Sequence, residues 1–217
     1  MKQVIKGTFI LFVITLVAGA LLGFVNELTQ EPIARYEADK KVAACNEVFY
    51  EENEDGELVA VTDLVFESYD YNEVDNLNAL LKEKTTDKIR IDEIYSVYRG
   101  ETLKENFYGY VFGVTTGEGY NGDISFYVGI TSDGRISGVS LLKIGETPGL
   151  GMNAETVLLP QFRDVMTGHF IVVKTGAMGE GEIDAISGAT VTSEAITEGV
   201  NAACDCYVIL KEGGDMQ

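Results

Sequence analysis

The sequence predicts an α+β protein. One N-terminal transmembrane helix precedes an extracytoplasmic domain in which helices flank an antiparallel sheet. Three observations carry this. Residues 7–25, GTFILFVITLVAGALLGFV, are 19 consecutive uncharged residues. Three runs between 107 and 144 are dense in β-branched and aromatic residues. Residues 192–211 place Ala195, Ile196, Val200, Ala203 and Tyr207 on one helical stripe.

The apolar run comes first. As a helix its 19 residues span about 28 Å, the thickness of a hydrocarbon core. Ala18-Gly19-Ala20 resembles a signal-peptide cleavage site, but the run continues past it through Val25, which favours an uncleaved anchor. Lys2 and Lys6 favour a cytoplasmic N-terminus and a single-pass topology. The rest of the chain then lies outside. Gly19 and Gly23 have the spacing that lets membrane helices pack closely, although chance glycines explain it as well.

Beyond the anchor, Glu31-Pro32 can start a helix over 32–51, with Pro32 in its first turn and Ala34, Ala38, Val42, Cys45 and Phe49 at helical spacing. EENEDGE (51–57) reads as an acidic turn. Strand, helix and strand patterns follow at 57–66, 73–84 and 89–98. FYGYVFGVTT (107–116), DISFYVGIT (123–131) and RISGVSLLKI (135–144) form a meander, with SDG (132–134) as the last hairpin turn. Residues 154–166 read as a short helix and HFIVVK (169–174) as a strand. The expected organisation is an N-terminus and anchor at 1–30, a mixed membrane-proximal part at 31–100, and a C-terminal domain at 101–217.

Charge excludes one class of function. Acidic residues outnumber basic ones 35 to 16, and the net charge is −19. Such a surface repels phosphate backbones, so nucleic acid is not an expected partner. Most of this charge, including 51–57 and the pair Glu73 and Asp75, reads as a solvated face.

Two stretches carry chemistry. GETPGLGMN (145–153) follows a long strand. It is either a simple turn at Pro148-Gly149 or a ligand loop. In the second case Gly149 and Gly151 admit close backbone approach, Thr147 offers a hydroxyl, and Leu150 and Met152 give apolar cover. IDAISGATVTS (183–193) precedes the last helix. Either Thr192 or Ser193 caps that helix, or Thr190 stands just ahead of a helix N-terminus suited to a phosphate.

Asp184-Ala185-Ile186-Ser187-Gly188-Ala189-Thr190 resembles the flavinylation motif of the FMN-binding domain family, and Glu146 to Gly151 (ETPGLG) resembles that family's second signature, in the family's order. With its anchor, the chain is similar to G subunits of Rnf electron-transport complexes. Their relatives are the C subunits of sodium-translocating NADH:quinone reductases. The resemblance implies that a flavin transferase joins FMN, through its phosphate, to the Thr190 hydroxyl. It places Glu146, Thr147, Gly149, Leu150, Asp184, Ser187, Gly188 and Ala189 at the cofactor. It implies a subunit that relays electrons among other membrane subunits, coupled to Na⁺ or H⁺ movement between ferredoxin and NAD. Two alternatives remain open. One is a quinone-reductase subunit or a free-standing extracytoplasmic flavoprotein. The other is an anchored binding module without a cofactor.

Further candidates are single residues. Tyr120 in GEGYNGD (117–123) can pack on a flavin ring, and Lys174 can meet phosphate or a polar ring edge. His169 reads as structural, and no spacing suggests a metal site. Cys45, Cys204 and Cys206 are too few for a four-cysteine cluster in one chain. Free thiols are expected, a bridge from Cys45 being the alternative. No GxGxxG follows a strand, so no nicotinamide site is expected here.

Overall fold

The computed structural model describes residues 2–53, 57–82, 84–100, 106–174 and 176–214. It divides into two compact units, 1–42 and 43–217. The centre of the acidic turn expected at 51–57 lies outside the described residues.

The first unit is part of a single helix, α1 (Lys2–Asn46), whose apolar stretch is long enough to cross a membrane. Two separate helices were expected, and the correction is that Pro32 sits inside α1. Proline removes one backbone bond at a cost of about 3 kcal/mol. The good helix formers on both sides, Glu27, Leu28, Gln30 and Glu31 before and Ala34, Arg35 and Glu37 after, continue the helix regardless. The expected stripe at 34–49 is also corrected. Ala38 and Val42 are exposed, and burial starts at Ala44 and Cys45. The helix ends at Asn46, so Phe49 lies beyond it.

The second unit is built on a six-stranded antiparallel meander. Its strands are β3 (Leu64–Ser68), β4 (Ile89–Arg99), β5 (Phe107–Thr116), β6 (Ile124–Thr131), β7 (Arg135–Lys143) and β8 (Val165–Met166), in that spatial order. The expected boundary at 100/101 falls between β4 and β5, which are paired. The run expected as one strand at 57–66 is two: β2 (Leu58–Ala60), which pairs with β1 (Tyr50–Glu52), and the edge strand β3. Asp63 between them takes a φ of 62°, which breaks the extended run.

Alternation along the strands sorts side chains onto two faces. Ile91 and Ile94, Phe112 and Val114, Phe126, Val128 and Ile130 meet α4 (Thr190–Gly214) and α2 (Tyr71–Leu81) in the main core. The stripe expected on the last helix is entirely buried there. On the other face Val97, Val111 and Tyr127 pack against Ala44, Cys45, Val48 and Phe49. Gly129 makes this possible, since a Cβ there would lie 2.7 Å from Val48 Cγ2. Glu93 accepts hydrogen bonds from the Tyr95 and Tyr127 hydroxyls on the same face.

Two asparagines pin helices to strand-like backbone. Asn78 of α2 accepts from Ile91 N–H and donates to Ile91 C=O, both at 2.8 Å. Asn201 of α4 does the same to Phe170, at 2.8 and 2.9 Å. Asp70 and Glu73 form a reciprocal capping box at the start of α2, so Glu73 does more than line a solvated face.

After β7 the chain makes a 3₁₀ turn (Gly151–Asn153), a one-turn helix α3 (Ala154–Val157) and a second 3₁₀ turn (Leu159–Phe162). A single helix was expected over 154–166. Pro160, in the first turn of the second 3₁₀ segment, breaks it. The strand expected at 169–174 is β9 (Ile171–Val173), paired in parallel with β10 (Glu182–Asp184). β10 is too short for a periodic signal.

Candidate functional site

Three loops converge where β5, β7 and β10 end. Each is shaped by glycine. In Thr147-Pro148-Gly149-Leu150 the Leu150 N–H returns to Thr147 C=O at 3.1 Å, with Gly149 at φ 77°. In Ile186-Ser187-Gly188-Ala189 the Ala189 N–H returns to Ile186 C=O at 2.9 Å, with Gly188 at φ 76°. Both are four-residue turns whose third position requires positive φ. The two sequence motifs are thus two copies of one local geometry.

The second turn delivers the chain directly into α4. The helix starts at Thr190, not at 192 as expected, so Thr190 lies in its first turn. Ser193 and Thr192 are therefore not end caps. Ser193 reaches backward from inside the helix. Its Oγ accepts Ile186 N–H at 2.9 Å and donates to Ala189 C=O at 3.0 Å, tying the turn to the helix. Thr192 donates to Glu146 Oε2 at 3.0 Å. Glu146 Oε1 accepts Asn121 N–H at 3.1 Å, and the Asn121 amide donates to Gly145 C=O at 2.7 Å. A Cβ on Gly151 would lie 2.7 Å from both Glu146 Cβ and Thr192 Oγ1, so the first loop packs on α4 only as glycine.

These contacts enclose a cleft of 470 Å³ lined by Tyr120, Glu146, Thr147, Leu150, Gly151, Gly188, Ala189, Thr190, Val191 and Thr192. The volume lies within the range of small-molecule sites. Apolar Leu150 and Val191 stand partly exposed at it, and Tyr120 is 74% exposed. The Thr190 hydroxyl has no hydrogen-bond partner among the described residues. The first-turn N–H groups of α4 have no intrahelical acceptor, and the helix dipole is positive there.

Of the residues singled out by sequence, the structure brings Tyr120, Glu146, Thr147, Leu150, Gly188, Ala189 and Thr190 to this cleft. Gly149 shapes its turn from outside the lining, and Ser187 is exposed beside it. Asp184 faces elsewhere. Its carboxylate accepts Ala177 N–H at 3.0 Å, and its backbone is held by Gln161 through bonds of 2.8 and 3.0 Å. Lys174 follows β9, exposed and outside the lining. Val191 and Thr192 also line the cleft. The helical pattern hid them, because a helix N-terminus shows residues of its first turn that periodicity assigns to a packed or solvated face.

A second cleft, of 740 Å³, lies between Tyr50, Arg135 and Arg163. Arg135 is paired to Asp133 and Asp164, and the Arg163 guanidinium stacks 4.4 Å over Tyr50. All three cysteines are buried, and no disulfide joins them.

Comparison with known proteins bears on the motifs. The FMN-binding domain matches residues 119–205, which include Tyr120 and both signature stretches, and the RnfG N-terminal region matches residues 1–48. The chain is 33% identical over 208 residues to the G subunit of the Na⁺-translocating ferredoxin:NAD⁺ oxidoreductase complex of Acetobacterium woodii, covering 95% of this chain and 92% of that one. It is 30% identical to the G subunit of the ion-translocating oxidoreductase complex of Methanosarcina acetivorans, covering 98% of each. Among solved structures, NqrC of Shewanella oneidensis aligns with 55% of this chain and 61% of its own, at 19% identity and a TM-score of 0.44. Near-full-length similarity joined to a matching anchor region and flavin-binding region leads to one conclusion: the chain belongs to the family of G subunits of ion-translocating (Rnf-type) oxidoreductase complexes.

Proposed function

We propose that this chain is a single-pass membrane subunit carrying FMN as a phosphoester on Thr190. It relays electrons among other membrane subunits of a complex that couples ferredoxin:NAD electron transfer to Na⁺ or H⁺ translocation. Residues 1–30 serve as the anchor, residues 101–217 carry the flavin, and the flavin lies on the extracytoplasmic side. The observation that carries the reading is the state of the hydroxyls at 187–193. Thr192 and Ser193 are engaged and buried, and Ser187 lies outside the cleft. Thr190 lines the cleft with its hydroxyl unengaged among the described residues.

The cleft suits the cofactor's parts. The first turn of a 25-residue helix offers N–H groups and a positive dipole to a phosphate. Gly151 and Gly188 bring backbone close, while Tyr120, Leu150 and Val191 offer flat or apolar surface to a ring. Asp184, Ser187 and Gly149 support the loops around it, and Lys174 is exposed outside the lining. FMN supplies the electron chemistry when bound, and the chain supplies position and electrostatics. A covalent tether keeps the cofactor in place where no cytoplasmic pool refills the site.

Attachment needs a flavin transferase and a donor with an activated phosphate, such as a flavin adenine dinucleotide. The Thr190 Oγ–P bond forms and the pyrophosphate P–O bond breaks. The nucleoside monophosphate leaves, and the hydroxyl proton passes to a base on the transferase. Intact mass of protein from a host with active transferase tests this. Wild type gains one FMN less water, and Thr190→Val gains nothing. An unmodified wild-type chain leaves a cofactor-free binding module. A modified chain that purifies with NADH:quinone reductase subunits, or alone, places it in those systems instead.

A further inference from the structure

Glu146 is 5% exposed, and both oxygens of its carboxylate are engaged by protein. Oε1 takes the Asn121 N–H at 3.1 Å and Oε2 takes the Thr192 hydroxyl at 3.0 Å. Its methylenes occupy the space where a Cβ on Gly151 would sit, 2.7 Å away. One buried side chain therefore joins the Tyr120 loop, the 145–151 loop and the first turn of α4. Thr192, two residues after Thr190, is where that turn is gripped, and its own hydroxyl is consumed by the grip at 1% exposure.

We propose that Glu146 is a positioning residue for Thr190, acting through Thr192. Its carboxylate latches the first turn of α4 to the 145–151 loop, so that the hydroxyl of Thr190, and not that of Thr192, is presented to the phosphate donor. The inference rests on Thr190 being the attachment point. It gives Glu146, which lines the cleft, the further task of supporting the turn that carries Thr190. The physical need is clear. The first turn of a helix lacks half of its backbone bonds and frays, while group transfer requires the attacking oxygen about 3–3.5 Å from phosphorus and in line. During transfer the Oγ–P bond forms on Thr190, the donor's pyrophosphate bond breaks, and Glu146 gives and takes no proton.

The test follows attachment over time by intact mass, with full-length chain in detergent, transferase and flavin adenine dinucleotide. Tandem mass spectrometry locates the flavin, and circular dichroism checks the fold. Thr192→Val, which keeps shape and removes the hydroxyl, is expected to slow attachment about tenfold, the worth of one buried hydrogen bond. Thr192→Ser is expected to restore the rate to within about twofold. Glu146→Ala should be at least as slow as Thr192→Val. Glu146→Gln should stay close to wild type, because its amide can still accept from Asn121 and donate to Thr192. Attachment to Thr192→Val at the wild-type rate overturns the latch. So does Glu146→Gln as slow as Glu146→Ala, which would make charge the cause. A wild-type chain that gains no mass removes the attachment site itself, and this inference with it.

Discussion

Cys204 and Cys206 are two residues apart on α4, about 200° around the helix, yet both are buried and free. The helix is enclosed on nearly all sides here, with Ala202, Ala203 and Tyr207 also buried. Burial pushes each thiol from 9.0 up to about 12. The linkage has a definite sign. Below pH 9 both states hold the protons and the contribution is fully present. Between pH 9 and 12 the unfolded chain releases protons that the folded chain keeps, so stability falls by about 1.4 kcal/mol per pH unit per thiol at most. The Tyr95, Tyr110 and Tyr127 hydroxyls, also raised chiefly by burial, add to the fall above pH 10. Urea midpoints over pH 8–11 should decline, and less steeply below pH 10 in Cys204→Ala/Cys206→Ala. The same burial predicts that maleimide labels neither residue in the native state at pH 8. Asn201 carries a larger stake. Asn201→Ala leaves the Phe170 N–H and C=O unpaired in the core, and a loss of about 3 kcal/mol is expected in urea unfolding.

At the scale of elements, glycine decides which segments can approach. Val48 lies against Gly129 on β6 with no space for a methyl group. Gly129→Ala is expected to cost about 1–3 kcal/mol and to separate 44–49 from the sheet. Denaturant titration, together with protease sensitivity at 44–49, reads both effects. At α2 the capping box predicts that Asp70→Ala costs about 1 kcal/mol with the spectrum unchanged. Glu182 performs a similar task in a loop. Backbone N–H groups of Met178 and Gly179 bond its carboxylate and hold its pKa below the ordinary value.

At the scale of the molecule, unit 43–217 contains a two-sided core whose buried members, among the described residues, are its own. Removing residues 1–42 is expected to leave a protein that unfolds cooperatively without detergent. Removing residues 1–52 should not, because Val48 and Phe49, both fully buried, go with the cut. Each side chain is worth about 1.5–3 kcal/mol of burial. Thermal melts of the two truncations separate these outcomes.

The apolar run, the meander and the last helix were legible because each repeats a local period over many residues, and a period survives whatever packs on it. The Gly-rich stretches at 146–151 and 184–190 were legible because turns with positive φ admit few residue types. Short or singular features were not legible. β10 has three residues, and the union of 44–49 with the outer face of the sheet joins segments far apart in sequence. Glu146, Thr192 and Asn121 form one network only after β6 and β7 have folded back and α4 has crossed the sheet. By itself the sequence determined the apolar run, the strands of the meander, the last helix and the two glycine turns beside it. The tertiary structure decided which hydroxyl faces the cleft and which is consumed, because a hydrogen bond between distant segments leaves no local pattern in either.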